Sequence, residues 1–151
     1  MRHWLMKSEP DEFSFAELER KGTEPWTGVR NYQARNFLRA AEVGDLVLFY
    51  HSNCAAPGIV GVAKVTKAAF DDPTQFDPKS DYFDPKSTKD NPRWSCLEVS
   101  FHQTFRRLVS LPDLRASAAL KEMLILRPGN RLSVTPVTAA EFKAIATLGR
   151  G

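Results

Sequence analysis

The sequence predicts an α+β fold, a mixed β-sheet of about five or six short strands curled into a barrel with short helices around it. Three observations predict it. Short runs that are continuously apolar, or that alternate between apolar and polar residues, recur along the chain as strands do. Two capping boxes, Ser14 with Glu17 and Thr138 with Glu141, open short helices, each beside a hydrophobic staple. Strands and helices do not alternate regularly, which argues against a doubly wound parallel sheet.

His3 to Lys7 reads as the first strand, closed by Ser8-Glu9-Pro10. The first helix runs from the Ser14 cap to about Lys21, with Phe13 and Leu18 as its staple, and stops at Gly22. A loop through Pro25, Trp26 and Gly28 leads to a second helix starting at Asn31. There Ala34, Phe37, Leu38 and Ala41 have the spacing of a buried stripe. Asn31, Arg35 and Arg39 lie four apart on a different, basic face, and free N–H groups at its first residue favour an anion. Leu46 to Ser52 is an apolar strand covered on both sides. Ile59 to Val65 is another, with Gly58 and Gly61 permitting a bend or close approach. Leu97, Val99 and Phe101 alternate with Glu98, Ser100 and His102, and Arg106 to Val109 extends this hairpin system. Ser110 to about Leu120 is helical, with Pro112 tolerated in the first turn. Met123 to Leu126 is apolar and fits either state. Pro128-Gly129-Asn130 is a turn and Arg131 to Val137 the last strand. A terminal helix, stapled by Val137 and Phe142, runs to about Leu148.

Between Phe70 and Trp94 regular structure is hard to place. Four prolines, at 73, 78, 85 and 92, interrupt a stretch rich in aspartate and lysine, and Phe-Asp-Pro-Lys-Ser occurs twice, at 76–80 and 83–87. Loops this long in compact domains are usually functional or disordered. Phe76, Tyr82 and Phe83 argue for docking, because disordered segments are poor in aromatics.

The totals fit one domain over residues 1–151, with 42% hydrophobic and 26% charged residues. A formal charge of +3 permits nucleic-acid binding only through local contacts, since a bulk electrostatic coat needs more. Cys54 and Cys96 are too few for a disulfide framework and lack zinc-site spacing, so reduced thiols are expected. No run suits a signal peptide, and none reaches the roughly 18 apolar residues of a membrane span. A cytoplasmic monomer is expected, nuclear in a eukaryote, with no metal and no cofactor.

The most informative stretch is residues 26–36, Trp-Thr-Gly-Val-Arg-Asn-Tyr-Gln-Ala-Arg-Asn. Two aromatics, two arginines and three amides are crowded there. A core segment does not need that mixture, because buried amides and charges cost free energy unless paired. A planar, polar, anionic ligand does: aromatics stack on its plane, amides read its edge and arginines hold phosphate. Trp26 stacks or else plugs the core. Asn31 reads an edge or else caps its helix. Tyr50-His51-Ser52 leaves the most apolar strand as the lining of a mouth. Trp94 completes an aromatic pocket or else closes the barrel. Catalytic arrangements are weak: there is no Gly-x-Ser-x-Gly elbow, phosphate-cradling glycine loop or His-Glu-x-x-His motif.

Four segments together resemble the EVE domain family: Lys7-Ser8-Glu9-Pro10, residues 26–36, Phe49-Tyr50-His51-Ser52, and the run from Phe-Asp-Pro-Lys-Ser to Asn91-Pro92-Arg93-Trp94. The resemblance covers nearly the whole chain, with the segments in family order. It implies a PUA-like mixed β-barrel, and a pocket for a modified base with the strand along a basic rim. Carried over residue by residue, the pocket involves Lys7, Ser8, Trp26, Asn31, Tyr50, His51, Ser52 and Trp94. Side-chain chemistry assigns Ser8, Trp26, Asn31, Tyr50, His51, Ser52 and Trp94 to the base, and Lys7, Arg30 and Arg35 to phosphate. The leading expectation is therefore a non-catalytic reader of DNA or RNA carrying a modified base. The rival is an enzyme on a nucleotide or nucleic acid, with His51 as acid–base and Cys54 or Ser52 as nucleophile. A protein-interaction module would need an exposed apolar patch, and the sequence displays none.

Overall fold

A computed structural model describes residues 1–151. Six strands form one mixed sheet: β1 (His3–Ser8), β2 (Thr23–Pro25), β3 (Leu46–His51), β4 (Gly58–Asp71), β5 (Ser95–Ser110) and β6 (Val134–Val137). Their spatial order is β2-β5-β4-β3-β1-β6. β1 and β3 run parallel and every other pair is antiparallel. The PUA-like α+β architecture is present, but the end strands β2 and β6 do not pair, so hydrogen bonds leave the sheet open where a barrel would close.

Four helices flank it: α1 (Phe15–Lys21), α2 (Tyr32–Ala40), α3 (Leu111–Ala116) and α4 (Ala139–Gly149). The capping boxes sit where the sequence places them, at Ser14/Glu17 and Thr138/Glu141, and a third opens α3 at Ser110/Asp113. Residues 118–120 and 124–126 are single 3₁₀ turns, so α3 is shorter than expected and the apolar run after it is neither strand nor α-helix.

Strand alternation sorts the apolar residues onto two faces. Trp4, Met6, Val47 and Phe49 face α1 and α2, joined by Phe15, Leu18, Ala34 and Leu38. Leu5, Leu48, Tyr50 and Ile59 belong to the other core, with Leu114 and Ile145 of α3 and α4. Gly61 is the close approach its sequence position suggested: a Cβ there would lie 2.3 Å from the Phe15 ring. β4 and β5 outrun the predicted strands because they pair through several register shifts, which break the apolar alternation.

Residues 72–94 are ordered by buried polar groups. The Asp72 carboxylate, fully buried, accepts from the Gly28 and Thr74 N–H groups (2.8 Å each), the Thr74 hydroxyl (2.6 Å) and Arg30 Nη1 (3.1 Å). Gln75, also fully buried, donates to the Asp72 and Trp94 carbonyls and accepts from the Arg93 and Trp94 N–H groups, using its whole amide. The repeated Phe-Asp-Pro-Lys-Ser forms the same turn twice, Asp77 capping the N–H of Lys79 and Asp84 that of Lys86 (2.9 Å each).

Candidate functional site

The parallel strands β1 and β3 end side by side, the Ser52 N–H donating to the Ser8 carbonyl at 3.0 Å. Beyond their ends lies an open cavity of about 670 Å³, within the ~300–1,000 Å³ usual for small-ligand sites. Lys7, Ser8 and Ser52 come from the strand ends. Glu9, Glu12 and Phe13 come from the β1–α1 loop, residues 24–30 from the loop before α2, Asp81 and Tyr82 from the 72–94 loop, and Arg131 and Ser133 from the approach to β6.

Trp26 is only 8% exposed. Its indole packs edge-on against Phe49 (5.4 Å between centroids) and Phe13 (6.5 Å), so it belongs to the core and also walls the cavity. No side-chain nitrogen or oxygen sealed from solvent lacks a partner. The Trp26 indole N–H has no protein acceptor and is therefore reachable by solvent. Lys7 lines the same cavity, half-buried and in no ion pair; its ammonium lies 6.0 Å from the Tyr50 ring centroid. Burial pushes its pKa down, since part of its hydration is lost and no carboxylate pairs with it.

Lys7, Ser8, Trp26, Arg30 and Ser52 thus share one cavity, although Arg30 has no donor free for phosphate. Its five N–H bonds go to the Tyr82 and Val29 carbonyls, Asp72 and the Thr74 hydroxyl. Ser8 donates to the Phe13 carbonyl at 2.6 Å. The other predicted site residues lie outside the lining. Asn31 caps α2, accepting from the Ala34 N–H at 3.0 Å. Tyr50 is 4% exposed in the opposite core, because alternation turns it away from Phe49. His51 accepts the Phe15 N–H on Nε2 at 3.1 Å, tying β3 to the start of α1. Trp94, 6% exposed, donates its indole N–H to Asp84 at 2.7 Å, which holds that carboxyl below the usual range. Arg35 donates to the Arg93 carbonyl and to Asn36 and lies 4.7 Å over the Tyr32 ring.

Two of these residues, Trp94 and Arg35, belong to one stack. Tyr32 lies on Trp94 at 4.7 Å and 19°, with Arg35 beyond it, and the Arg30 guanidinium sits 5.4 Å from Trp94 and 5.7 Å from Tyr82. Residues 26–30 of the motif thus line the cavity, whereas Tyr32 and Arg35 pack in this stack. Sequence reasoning missed Phe13, Tyr82 and the rim carboxylates. The aromatic-rich proline loop was the only local signal for Tyr82 and Asp81. No three His, Cys, Asp or Glu side chains converge as a metal set, and no helix is long and apolar enough to cross a membrane. Cys96 is buried, its thiol pushed up to about 12 chiefly by desolvation, and is inert as a nucleophile.

Comparison with known proteins places this geometry. Human thymocyte nuclear protein 1 is 42% identical over 97% of this chain and 73% of its own length. A crystal structure from Pseudomonas putida is 52% identical with a TM-score of 0.95, covering 97% of this chain and 99% of that one. Human THYN1 protein, crystallised in complex with 5-methylcytosine-containing DNA, is 40% identical with a TM-score of 0.95 over 100% of this chain and 99% of that one. The EVE domain model matches residues 2–148, and the chain belongs to the EVE domain family.

Proposed function

We propose that this chain binds nucleic acid and reads a modified base, without catalysis, in the cavity at the ends of β1 and β3. The observation that carries the reading is one open cavity lined both by Trp26, whose indole N–H meets no protein acceptor, and by Lys7, a half-buried cation in no ion pair. Both groups are reachable by solvent, and a ligand with a stacking plane and an acceptor edge can take the place of water at both. The kinship to the human protein crystallised with 5-methylcytosine-containing DNA supports a base on a strand as that ligand, and supplies the first probe. The base is unstacked at a cost of a few kcal/mol where it starts in a duplex. Stacking returns roughly 1–3 kcal/mol. A methyl adds only about 0.8 kcal/mol, so discrimination needs a closely fitting, dry wall around it.

What supports a reader over a catalyst is the position of His51. Its Nε2 already accepts a main-chain N–H, and neither Ser52 nor Cys54 shares a hydrogen bond with it.

The test is a titration with 5-methylcytosine-containing DNA and its unmethylated twin, followed by anisotropy and tryptophan fluorescence. Trp26→Ala would open a core cavity worth about 3–5 kcal/mol, so Trp26→Phe is the usable variant. The wild type is expected to prefer the methylated strand with quenching that disappears in Trp26→Phe. Equal affinity for both strands, or quenching retained in Trp26→Phe, would sink the reading.

A further inference from the structure

We infer that Tyr82 supplies a second aromatic wall of the base pocket, and that Gly28 is glycine because this ring is seated on it. The inference rests on the cavity being the base pocket, and it assigns specificity to a residue that the sequence reading did not place in the site.

Three observations converge. Tyr82 lines the cavity together with Trp26. A Cβ on Gly28 would lie 2.8 Å from Cε2 and Cζ and 3.0 Å from Cε1 of the tyrosine. Near-equal distances to three ring carbons place Gly28 beneath the ring face rather than at its edge. The φ of +87° at Gly28 also favours glycine. One face of the ring is thus packed on main chain, and the residue is still 37% exposed.

The main chain around Tyr82 is held far more firmly than an idle surface aromatic requires. Arg30 Nε and Nη2 both donate to its carbonyl (3.0 and 2.7 Å), and its own N–H donates to Ser80 Oγ (3.1 Å). Arg30 is fixed in turn by the buried Asp72, which also takes the Gly28 N–H. A single carboxylate therefore sets both the seat and the clamp of the ring. A rigidly presented, partly exposed aromatic at a cavity mouth offers stacking area at low entropic cost. Burial and the nearby Glu12, Asp81 and Glu9 carboxylates push the phenol pKa up, so the ring stays neutral beside a base.

The experiment measures affinity for a 5-methylcytosine-containing oligonucleotide in Tyr82→Ala, Tyr82→Leu and Tyr82→Phe, with Phe83→Ala as control. Phe83 is the adjacent aromatic, 39% exposed, and does not line the cavity. Tyr82→Ala and Tyr82→Leu are expected to lose about 5- to 150-fold with melting temperatures close to wild type. Tyr82→Phe should recover most of the loss and Phe83→Ala should bind as wild type. If Tyr82→Ala binds as tightly as wild type, or Phe83→Ala loses as much, the second wall is overturned while the pocket reading stands. If the wild type itself binds neither strand, both fall together.

Discussion

At the residue scale, His51 shows how one hydrogen bond decides between roles. An imidazole that accepts a main-chain N–H on Nε2 carries its proton on Nδ1 and is neutral. Protonation would abolish that bond and set a cation against the N-terminus of α1, where the free N–H groups already point. Burial pushes its pKa below the ordinary histidine value of about 6.5. Above that value His51 is neutral in the folded and unfolded chain alike. Below it the unfolded chain takes up a proton that the folded chain refuses, so stability falls with pH until the folded value is passed. His3 is lowered as well, by burial first and then by the N-terminal ammonium, and acts in the same direction. The urea midpoint is therefore expected to drop between pH 7.5 and 5.5. His51→Gln keeps an acceptor for Phe15 but has no proton to take up, and its midpoint should drop measurably less. An unchanged pH dependence in His51→Gln would show that the imidazole is not the group involved.

At the element scale, the 72–94 loop behaves as a structural member because Asp72 and Gln75 supply what strands supply elsewhere, a full set of main-chain partners. Asp72→Ala removes the acceptor of the Gly28 and Thr74 N–H groups and leaves Arg30 without its counter-charge. The expected cost is about 3 kcal/mol in urea unfolding, with faster hydrogen exchange at Gly28 and Thr74. A loss under about 1 kcal/mol would mean that water replaces the carboxylate freely. This network also explains what the sequence could and could not reveal. The helix starts at Ser14, Asn31 and Thr138 were legible because a cap and its target lie three residues apart. Trp26 was legible as a wall because it stands in a loop outside any periodic stripe. Arg30, Arg35 and Trp94 were read as ligand contacts because their polar and aromatic character had no local use. Their partners lie some 40 to 60 residues away in sequence, and no spacing rule connects such positions. Tyr82 was read only as an aromatic that docks its loop, because only the fold brings Gly28 beneath it.

At the scale of the whole molecule, a formal charge of +3 says little, because the charge around the cavity has the opposite sign. Glu9, Glu12, Glu24 and Asp81 line it against Lys7, Arg30 and Arg131. Glu9 is bound by Asn53, Glu24 by Lys21 and Arg30 by Asp72, whereas Glu12 and Asp81 are exposed and in no ion pair. If the cavity takes a base on a strand as proposed, two exposed carboxylates at its mouth would repel the phosphodiester backbone, so that baseline affinity would be held down and binding would depend on the base that enters. The double variant Glu12→Gln with Asp81→Asn separates this field effect from direct contact. Exposed charges interact by at most about 1 kcal/mol each at contact distance in water. The variant should therefore bind plain and modified strands roughly 3- to 10-fold more tightly at low salt. The gain should fade toward 1 M salt, where the screening length is about 3 Å. Because a field acts on the backbone and not on the modification, the ratio of the two affinities should hold. If the modified strand alone loses affinity, one of these carboxylates is instead accepting a hydrogen bond from the base, as a carboxylate does from a cytosine amine.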